Sequence, residues 1–213
     1  MKAQDYRAQA GSSMIEVLIT LVILMVGLLG LAGMMAQGQR SEMESYQRVQ
    51  ALVLLRDMVG RINANRNVGS CYAYTTAATG TPYLGAAGLG VLSPIPPTTC
   101  GVGTALQQAL FQSDMTDWDA ALKGAAEISG GSRVGAMVGA RGCVSYDAAT
   151  ELVDSLGAAI TGSGIYTVEV AWQGVGNTFA PVGLKCGQNL YGNEAQRRVV
   201  SLSFRVGSIN NTN

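Results

Sequence analysis

The sequence predicts an α+β fold in which a long N-terminal helix, first transmembrane and then amphipathic, packs against a small antiparallel β-sheet. Residues 17–36 form an uncharged apolar run, and residues 37–65 continue with a helical pattern of apolar positions. Two late segments, 165–172 and 197–206, alternate polar and apolar residues as half-buried strands do. One long helix followed by late strands indicates the segregated helix and sheet of an α+β domain.

The apolar run is long enough to cross a membrane. Val17 to Ala36 contains twenty residues without a charge, and Thr20 is its one polar side chain. A helix of this length spans ~30 Å, the thickness of the hydrocarbon core of a bilayer. Lys2 and Arg7 precede the run, which favours a cytoplasmic N-terminus and an exported C-terminal region. A buried helix of a soluble domain is the alternative.

Beyond the run, apolar residues recur at spacings of three and four, as they do on one face of a helix. The helix is therefore predicted to extend over residues 12–65, with a transmembrane half (17–36) and an amphipathic half (37–65), and to end near a group of asparagines. Residues 66–213 are predicted to form the globular head. The face predicted to pack on the head consists of Val49, Leu52, Leu55, Val59 and Ile62.

Composition argues against several classes of function. The chain has no histidine, which excludes Ser-His and Cys-His catalysis and removes the commonest metal ligand. Its 14 basic and 14 acidic residues give no basic face for a direct nucleic-acid partner. The spacing of Asp114, Asp117 and Asp119 lacks the Gly and terminal Glu of a calcium loop, so these acids are interpreted as helix-start residues. We expect no enzyme activity, no cofactor and no metal.

The chain has four cysteines, Cys71, Cys100, Cys143 and Cys186, and no CxxC pair. An even number of widely spaced cysteines in an exported region predicts two disulfides, with four buried thiols as the alternative. Four cysteines allow three pairings, of which Cys71–Cys100 and Cys143–Cys186 are favoured. The first pair brackets a Gly- and Pro-rich stretch, and the second flanks the predicted sheet.

The head is predicted to contain a loop over 69–104, a helix over 105–128 and three strands. The strands are Cys143–Tyr146, Ile165–Trp172 and Arg197–Val206. Asp114 or Thr116 is predicted to be the N-cap of the helical segment 117–127, DWDAALKGAAE. Its predicted core anchors are Leu106, Leu110, Trp118 and Leu122. The predicted buried faces of the last two strands are Tyr166, Val168, Val170 and Trp172, and Val200, Leu202, Phe204 and Val206.

The segment from Gly11 to Leu18, GSSMIEVL, resembles the processing site of type IV prepilins. The resemblance implies the type IV pilin fold and residues 1–11 as a leader peptide. A prepilin peptidase would cut after Gly11, and the new N-terminal Ser12 would be N-methylated; the family commonly has Phe at that position. An ordinary secretory signal would instead be cut after the apolar region.

Glu16 would then be the fifth residue of the mature chain. A carboxylate in hydrocarbon costs several kcal/mol unless it is paired or neutralised. Glu16 either lies at the headgroup boundary or, as the resemblance implies, pairs with the α-ammonium of a subunit in the filament core. Such pairing would offset the cost of desolvating the two charges.

The order of helix, loop, Trp-containing helix and YTVEVAW strand resembles the minor pilins of the PilV, or pilus modification, kind. The resemblance implies an inner-membrane protein with a periplasmic C-terminal region that later joins a pilus at the cell surface. Its partners would be the inner membrane, other minor and major pilins, prepilin peptidase/N-methyltransferase and the pilus assembly platform. Its role would lie in assembly initiation or at the tip, and so in adhesion, twitching motility or DNA uptake. The alternatives are a pseudopilin of a type II secretion system and a membrane-anchored periplasmic binding domain or enzyme.

Overall fold

A computed structural model describes residues 11, 13–97, 100–125, 128–130, 132–133, 137–179 and 181–207. The chain divides into two compact units, an N-terminal unit (Met1–Met43) and a C-terminal unit (Glu44–Asn213). The first part of helix α1 (Met14–Ala64) lies in the N-terminal unit, and the remainder of α1 belongs to the C-terminal unit. The predicted α+β fold class is confirmed, since this helix packs against a four-stranded antiparallel sheet.

Within the C-terminal unit, α1 buries one stripe of residues spaced three or four apart, as a helix on a core must. Leu55 and Ile62 are buried as predicted, but Val49 is 56% exposed, and Leu52 and Val59 are only partly buried. The predicted face was therefore rotated relative to the true one, which includes a polar residue that no apolar pattern could indicate. The buried residues are Gln47, Ala51, Leu55, Met58 and Ile62.

Short helical turns follow α1. A 3-10 turn (Arg66–Val68) and helix α2 (Gly69–Tyr72) bring the chain into the head core. The side-chain amide of Asn65 donates to the Gln107 carbonyl (2.9 Å) and to the Tyr72 hydroxyl (3.2 Å), so hydrogen bonds connect the residue after α1 to the following helices.

Helix α3 (Ala105–Leu122) begins at a capping box. Thr104 Oγ1 accepts from the Gln107 amide, and Gln107 Oε1 accepts from the Thr104 amide at 2.8 Å. The predicted caps Asp114 and Thr116 were wrong, because both lie inside the helix. Of the predicted anchors, Trp118 and Leu122 are buried, whereas Leu106 and Leu110 are 79% and 45% exposed. Residues 126–127 of the predicted helix lie outside the described part.

The described strands are β1 (Leu84–Gly85), β2 (Ile128–Ser129), β3 (Ser132–Arg133), β4 (Val138–Asp147), β5 (Ile165–Gln173) and β6 (Arg197–Arg205). The main sheet has the order β1-β4-β5-β6, and each neighbouring pair is antiparallel. Strands β2 and β3 form a separate hairpin. The prediction of three strands was incomplete, because β1 pairs with β4 and β4 extends well beyond 143–146.

One face of the sheet forms the main core with α1 and α3. The predicted face of β5 is confirmed, with Tyr166, Val168, Val170 and Trp172 all at most 3% exposed. The edge strand β6 is covered less, and its Leu202 is 41% exposed. The other face carries a smaller cluster that consists of Tyr83, Cys143, Ala171, Cys186 and Tyr191.

Candidate functional site

The start of α1 is the candidate processing and membrane segment. Gly11 is exposed, and the helix begins three residues later, where the Ser13 carbonyl accepts from the Glu16 amide (2.9 Å) and the Val17 amide (3.3 Å). Ser12, the predicted new N-terminus, lies outside the described residues. Glu16 is exposed in the first helical turn, where a carboxylate complements the positive end of the helix dipole.

The N-terminal unit presents its apolar side chains outward. All the large apolar side chains from Val17 to Met35 are 49–74% exposed. The one hydroxyl in the run, Thr20 Oγ1, donates to the Val17 carbonyl at 2.8 Å, so it needs no outside partner. A helix surface with this composition is stable where lipid or other apolar helices surround it. Among the described residues, α1 is the helix long and apolar enough to cross a membrane.

Residues 6–32 match the protein-family model described as the prokaryotic N-terminal methylation motif. The match supports a type IV pilin-like family. It covers Gly11, Glu16 and most of the apolar run, but it does not extend into the C-terminal unit. No curated protein and no solved structure matches the chain.

The methylation motif fits the geometry of the segment. The matched residues include Gly11 and the first part of an apolar helix whose large side chains are exposed in the part of the chain that the structure describes. The motif therefore supports a type IV pilin or pseudopilin, processing by a prepilin peptidase and anchoring in a membrane.

The four cysteines form two disulfides in the C-terminal unit, Cys71–Cys100 and Cys143–Cys186, with Cα–Cα distances of 5.3 and 5.9 Å. These are the pairs that the sequence favoured. The first joins α2 to the segment before α3, and the second joins β4 to the connection between β5 and β6. Cys143 and Cys186 are 2% and 0% exposed.

A charged contact connects α1 to the start of β6, and the sequence analysis did not predict it. Glu44 Oε1 accepts from Arg198 Nη2 at 2.9 Å and from the Gly176 amide at 3.3 Å. Arg198 Nη2 also donates to the Gly176 carbonyl at 2.8 Å. No local pattern could have indicated this contact, because 154 residues separate its partners.

Asp114, Asp117 and Asp119 each lie against a basic side chain of the C-terminal unit. Arg61 Nη1 donates to Asp114 at 2.8 Å and lies 3.7 Å from Asp117. Asp119 accepts from the Gly85 amide (2.9 Å) and from Lys123 Nζ (2.6 Å). The helix-start interpretation of these acids was wrong, because α3 begins nine or more residues earlier. Among the described residues no group of His, Cys, Asp and Glu is arranged to hold a metal ion.

Proposed function

We propose that the chain is a minor type IV pilin, processed by prepilin peptidase, that acts in pilus assembly initiation or in the tip complex. The observation that carries this proposal is the methylation motif at the start of a helix whose apolar side chains are exposed. Proteins of the motif family are structural, which supports a non-enzymatic role. Adhesion, twitching motility or DNA uptake would be the processes that such a subunit serves.

The proposal divides the chain by role. Residues 1–11 form the leader, 17–36 the inner-membrane anchor, 37–65 the amphipathic half of the helix, and 66–213 the periplasmic head. The subunit would later leave the membrane for a filament on the cell surface. Two disulfides in the C-terminal unit support a location in an oxidising compartment.

Glu16 would act during assembly. Cleavage after Gly11 would create an α-ammonium at Ser12, four residues before the carboxylate. In a filament core, where neither charge is hydrated, pairing of the two charges between subunits would offset the cost of their desolvation. In the single chain Glu16 is exposed in the first turn of α1, where it remains accessible to a partner subunit.

Processing is tested by the intact mass of the protein extracted from membranes. We expect loss of residues 1–11 and one added methyl group on Ser12. In a strain without prepilin peptidase the mass should be that of the full precursor. A mature mass that retains residues 1–11 in the presence of the peptidase would contradict the processing site.

The role of Glu16 is tested with Glu16→Ala, which we expect to enter the membrane normally but to be absent from sheared pili. Glu42→Ala is the matched control, because Glu42 is another exposed carboxylate of α1. Immunoblots of membranes and of sheared pili measure the two pools. Equal incorporation of both variants would refute the pairing role.

The methylation motif supports a pseudopilin of a type II secretion system equally well. The same fractions distinguish the two functions. A minor pilin co-purifies with sheared pili, and its loss reduces piliation. A pseudopilin is missing from those pili, and its loss blocks secretion of a reporter enzyme instead.

A further inference from the structure

The connection between β5 and β6 exposes three apolar side chains in the C-terminal unit. Val175 is 46% exposed, Phe179 is 86% exposed and Val182 is 81% exposed. A phenylalanine so exposed to water lacks the stabilisation that burial of a large apolar side chain provides. We call these three residues the apolar loop.

The backbone beside each of these side chains is fixed. The Gly176 amide and carbonyl bind Glu44 and Arg198. The Thr178 amide donates to the Ala195 carbonyl at 2.7 Å, and the Pro181 carbonyl accepts from Arg197 Nη2 at 3.2 Å. Polar contacts therefore hold the loop to the start of β6 while its apolar side chains remain outside the core.

The apolar loop is held at the point where the C-terminal unit begins. Glu44, which binds the loop at Gly176, is eight residues after Ala36, the end of the apolar run. Those eight residues span at most about 29 Å however the chain runs between them. If residues 17–36 span a bilayer, the loop is consequently held within reach of that bilayer's surface.

The charge of the segment suits a phospholipid surface. From Gln173 to Lys185 the sequence has no acidic residue and ends with a lysine. Apolar and aromatic side chains suit the interface of a membrane, and the one basic residue of the segment, Lys185, adds attraction to anionic lipid.

We propose that Val175, Phe179 and Val182 insert into the interfacial layer of an anionic phospholipid bilayer while the subunit is still anchored there. This inference rests on the proposed membrane anchoring. Insertion would remove the exposed apolar side chains from water and hold the C-terminal unit on the membrane surface through a second contact besides its anchor.

The test places tryptophan in the loop of the full chain, reconstituted into vesicles of phosphatidylethanolamine and phosphatidylglycerol. Phe179→Trp and Val182→Trp are two independent reporters. Leu156→Trp is the matched control, because Leu156 is 91% exposed on the connection between β4 and β5, at the opposite end of β5. The native Trp118 and Trp172 are 0% and 3% exposed and give the same background in every variant.

Acyl-brominated phosphatidylglycerol, which quenches tryptophan only on contact, is expected to quench the loop reporters several-fold more than Leu156→Trp. A depth of about 5–10 Å is expected for an interfacial contact. Equal quenching of all three variants would overturn the proposal while leaving the anchor intact. The same conclusion would follow if neither loop reporter were quenched in protein that floats with the vesicles. Protein that fails to float would refute the anchoring itself. Tryptophan fluorescence of the loop reporters that varies with the protein-to-lipid ratio, and not with bromination of the lipid, would show that the loop contacts a second copy of the chain. That result would contradict the proposal.

Discussion

Trp118 of α3 packs closely against residue 142 of β4, which is a glycine and has no side chain. The Trp118 Nε1–H donates to the Leu54 carbonyl of α1 at 2.9 Å, so one residue connects both helices and the sheet. A Cβ at position 142 would overlap the Trp118 ring and would lie 2.7 Å from Leu122 Cδ1. The glycine in this strand is therefore required by packing.

Gly142→Ala is expected to lower the free energy of unfolding by about 1–3 kcal/mol, because the Trp118 ring must shift in a filled core. Urea unfolding followed by near-ultraviolet circular dichroism measures the change. Gly176→Ala is the control, since a Cβ there meets nothing within 4 Å. It should change stability by less than about 0.5 kcal/mol. Equal effects of the two substitutions would contradict the packing argument.

Glu169 of β5 lies beside the smaller apolar cluster, where it contacts Cys186. Burial raises its pKa above the ordinary value of 4.5, although the Cys186 amide, which donates at 3.0 Å, and Arg197 act in the opposite direction. Since its folded-state pKa is raised, its ionisation opposes folding. The cost is absent well below pH 4.5, where the group is protonated in both states, and it develops as the pH rises from 4.5 to the folded-state pKa, above which it is constant.

Glu169→Gln is expected to remove this cost and keep an acceptor for the Cys186 amide. The variant should match the native protein in stability near pH 4 and exceed it modestly at pH 7. Thermal unfolding across this range, with native protein as the reference, gives the comparison. A variant that is less stable at pH 7 would show that attraction to Arg197 outweighs burial.

At the scale of elements, α1 and α3 are joined by a polar network at the edge of the main core. Asp114, 6% exposed, accepts from Arg61 and from the Tyr72 hydroxyl. Burial and the neighbouring Asp114 carboxylate both raise the pKa of Tyr72, so its hydroxyl remains a donor at neutral pH. Burial would lower the pKa of Arg61, but Asp57 and Asp114 raise it overall. Arg61 and the Tyr72 hydroxyl therefore both remain donors to Asp114 at neutral pH.

Asp114→Ala is expected to cost about 2–3 kcal/mol, because it leaves the Tyr72 hydroxyl without its acceptor and removes a charge-assisted bond from Arg61. Asp117→Ala on the same helix is the matched control. The Asp117 side chain is 59% exposed, and its loss should cost about 0–1 kcal/mol. Chemical denaturation of both variants measures the difference, and similar costs would contradict the assigned role of Asp114.

The elements that the sequence predicted well are those whose local pattern matches their burial. The alternation of β5 determined its buried face because one side of that strand meets the helices. The cap of α3 at Thr104 and the pairing of β1 were missed, because both lie in a Gly- and Pro-rich stretch without periodicity. The first half of β4 was missed because it contains Gly139 and Gly142, and glycine is a poor strand former. Only the tertiary structure explains why these glycines lie in a strand.

The candidate site was predicted from a local motif, which is why it could be found in one sequence. Gly11, Ser12 and Glu16 are separated by at most five positions. Their roles in processing and assembly stay predictions, because those roles depend on a peptidase and on other subunits. The Glu44–Arg198 contact depends on the whole fold and has no sequence pattern.

At the scale of the whole molecule, the two units differ in what stabilises them. The N-terminal unit exposes its apolar side chains and depends on apolar surroundings. The C-terminal unit has its own core and both disulfides. The Cys71–Cys100 bond closes a separation of 29 residues that contains little regular structure, so we expect it to contribute mainly by restricting the unfolded chain.

Replacement of both Cys71 and Cys100 by serine is expected to lower the free energy of unfolding by about 3–4 kcal/mol. Replacement of both Cys143 and Cys186 is the comparison, and it should cost at least as much because that pair is buried and closes a longer loop. Denaturation of the detergent-solubilised chain followed by Trp118 and Trp172 fluorescence measures the C-terminal unit alone, because the N-terminal unit has no tryptophan. Native-like stability of the first variant would show that the bond adds little.

The disulfides follow one another along the chain, and neither loop encloses or crosses the other. For a chain exported from its N-terminal anchor onward, Cys100 emerges while Cys71 is its one available partner. The first bond can close before Cys143 appears, and the next two cysteines then have only each other. The order of translocation alone would select the native pairing, so oxidation of this protein in the cell should need a thiol oxidase but no isomerase to rearrange wrong pairs.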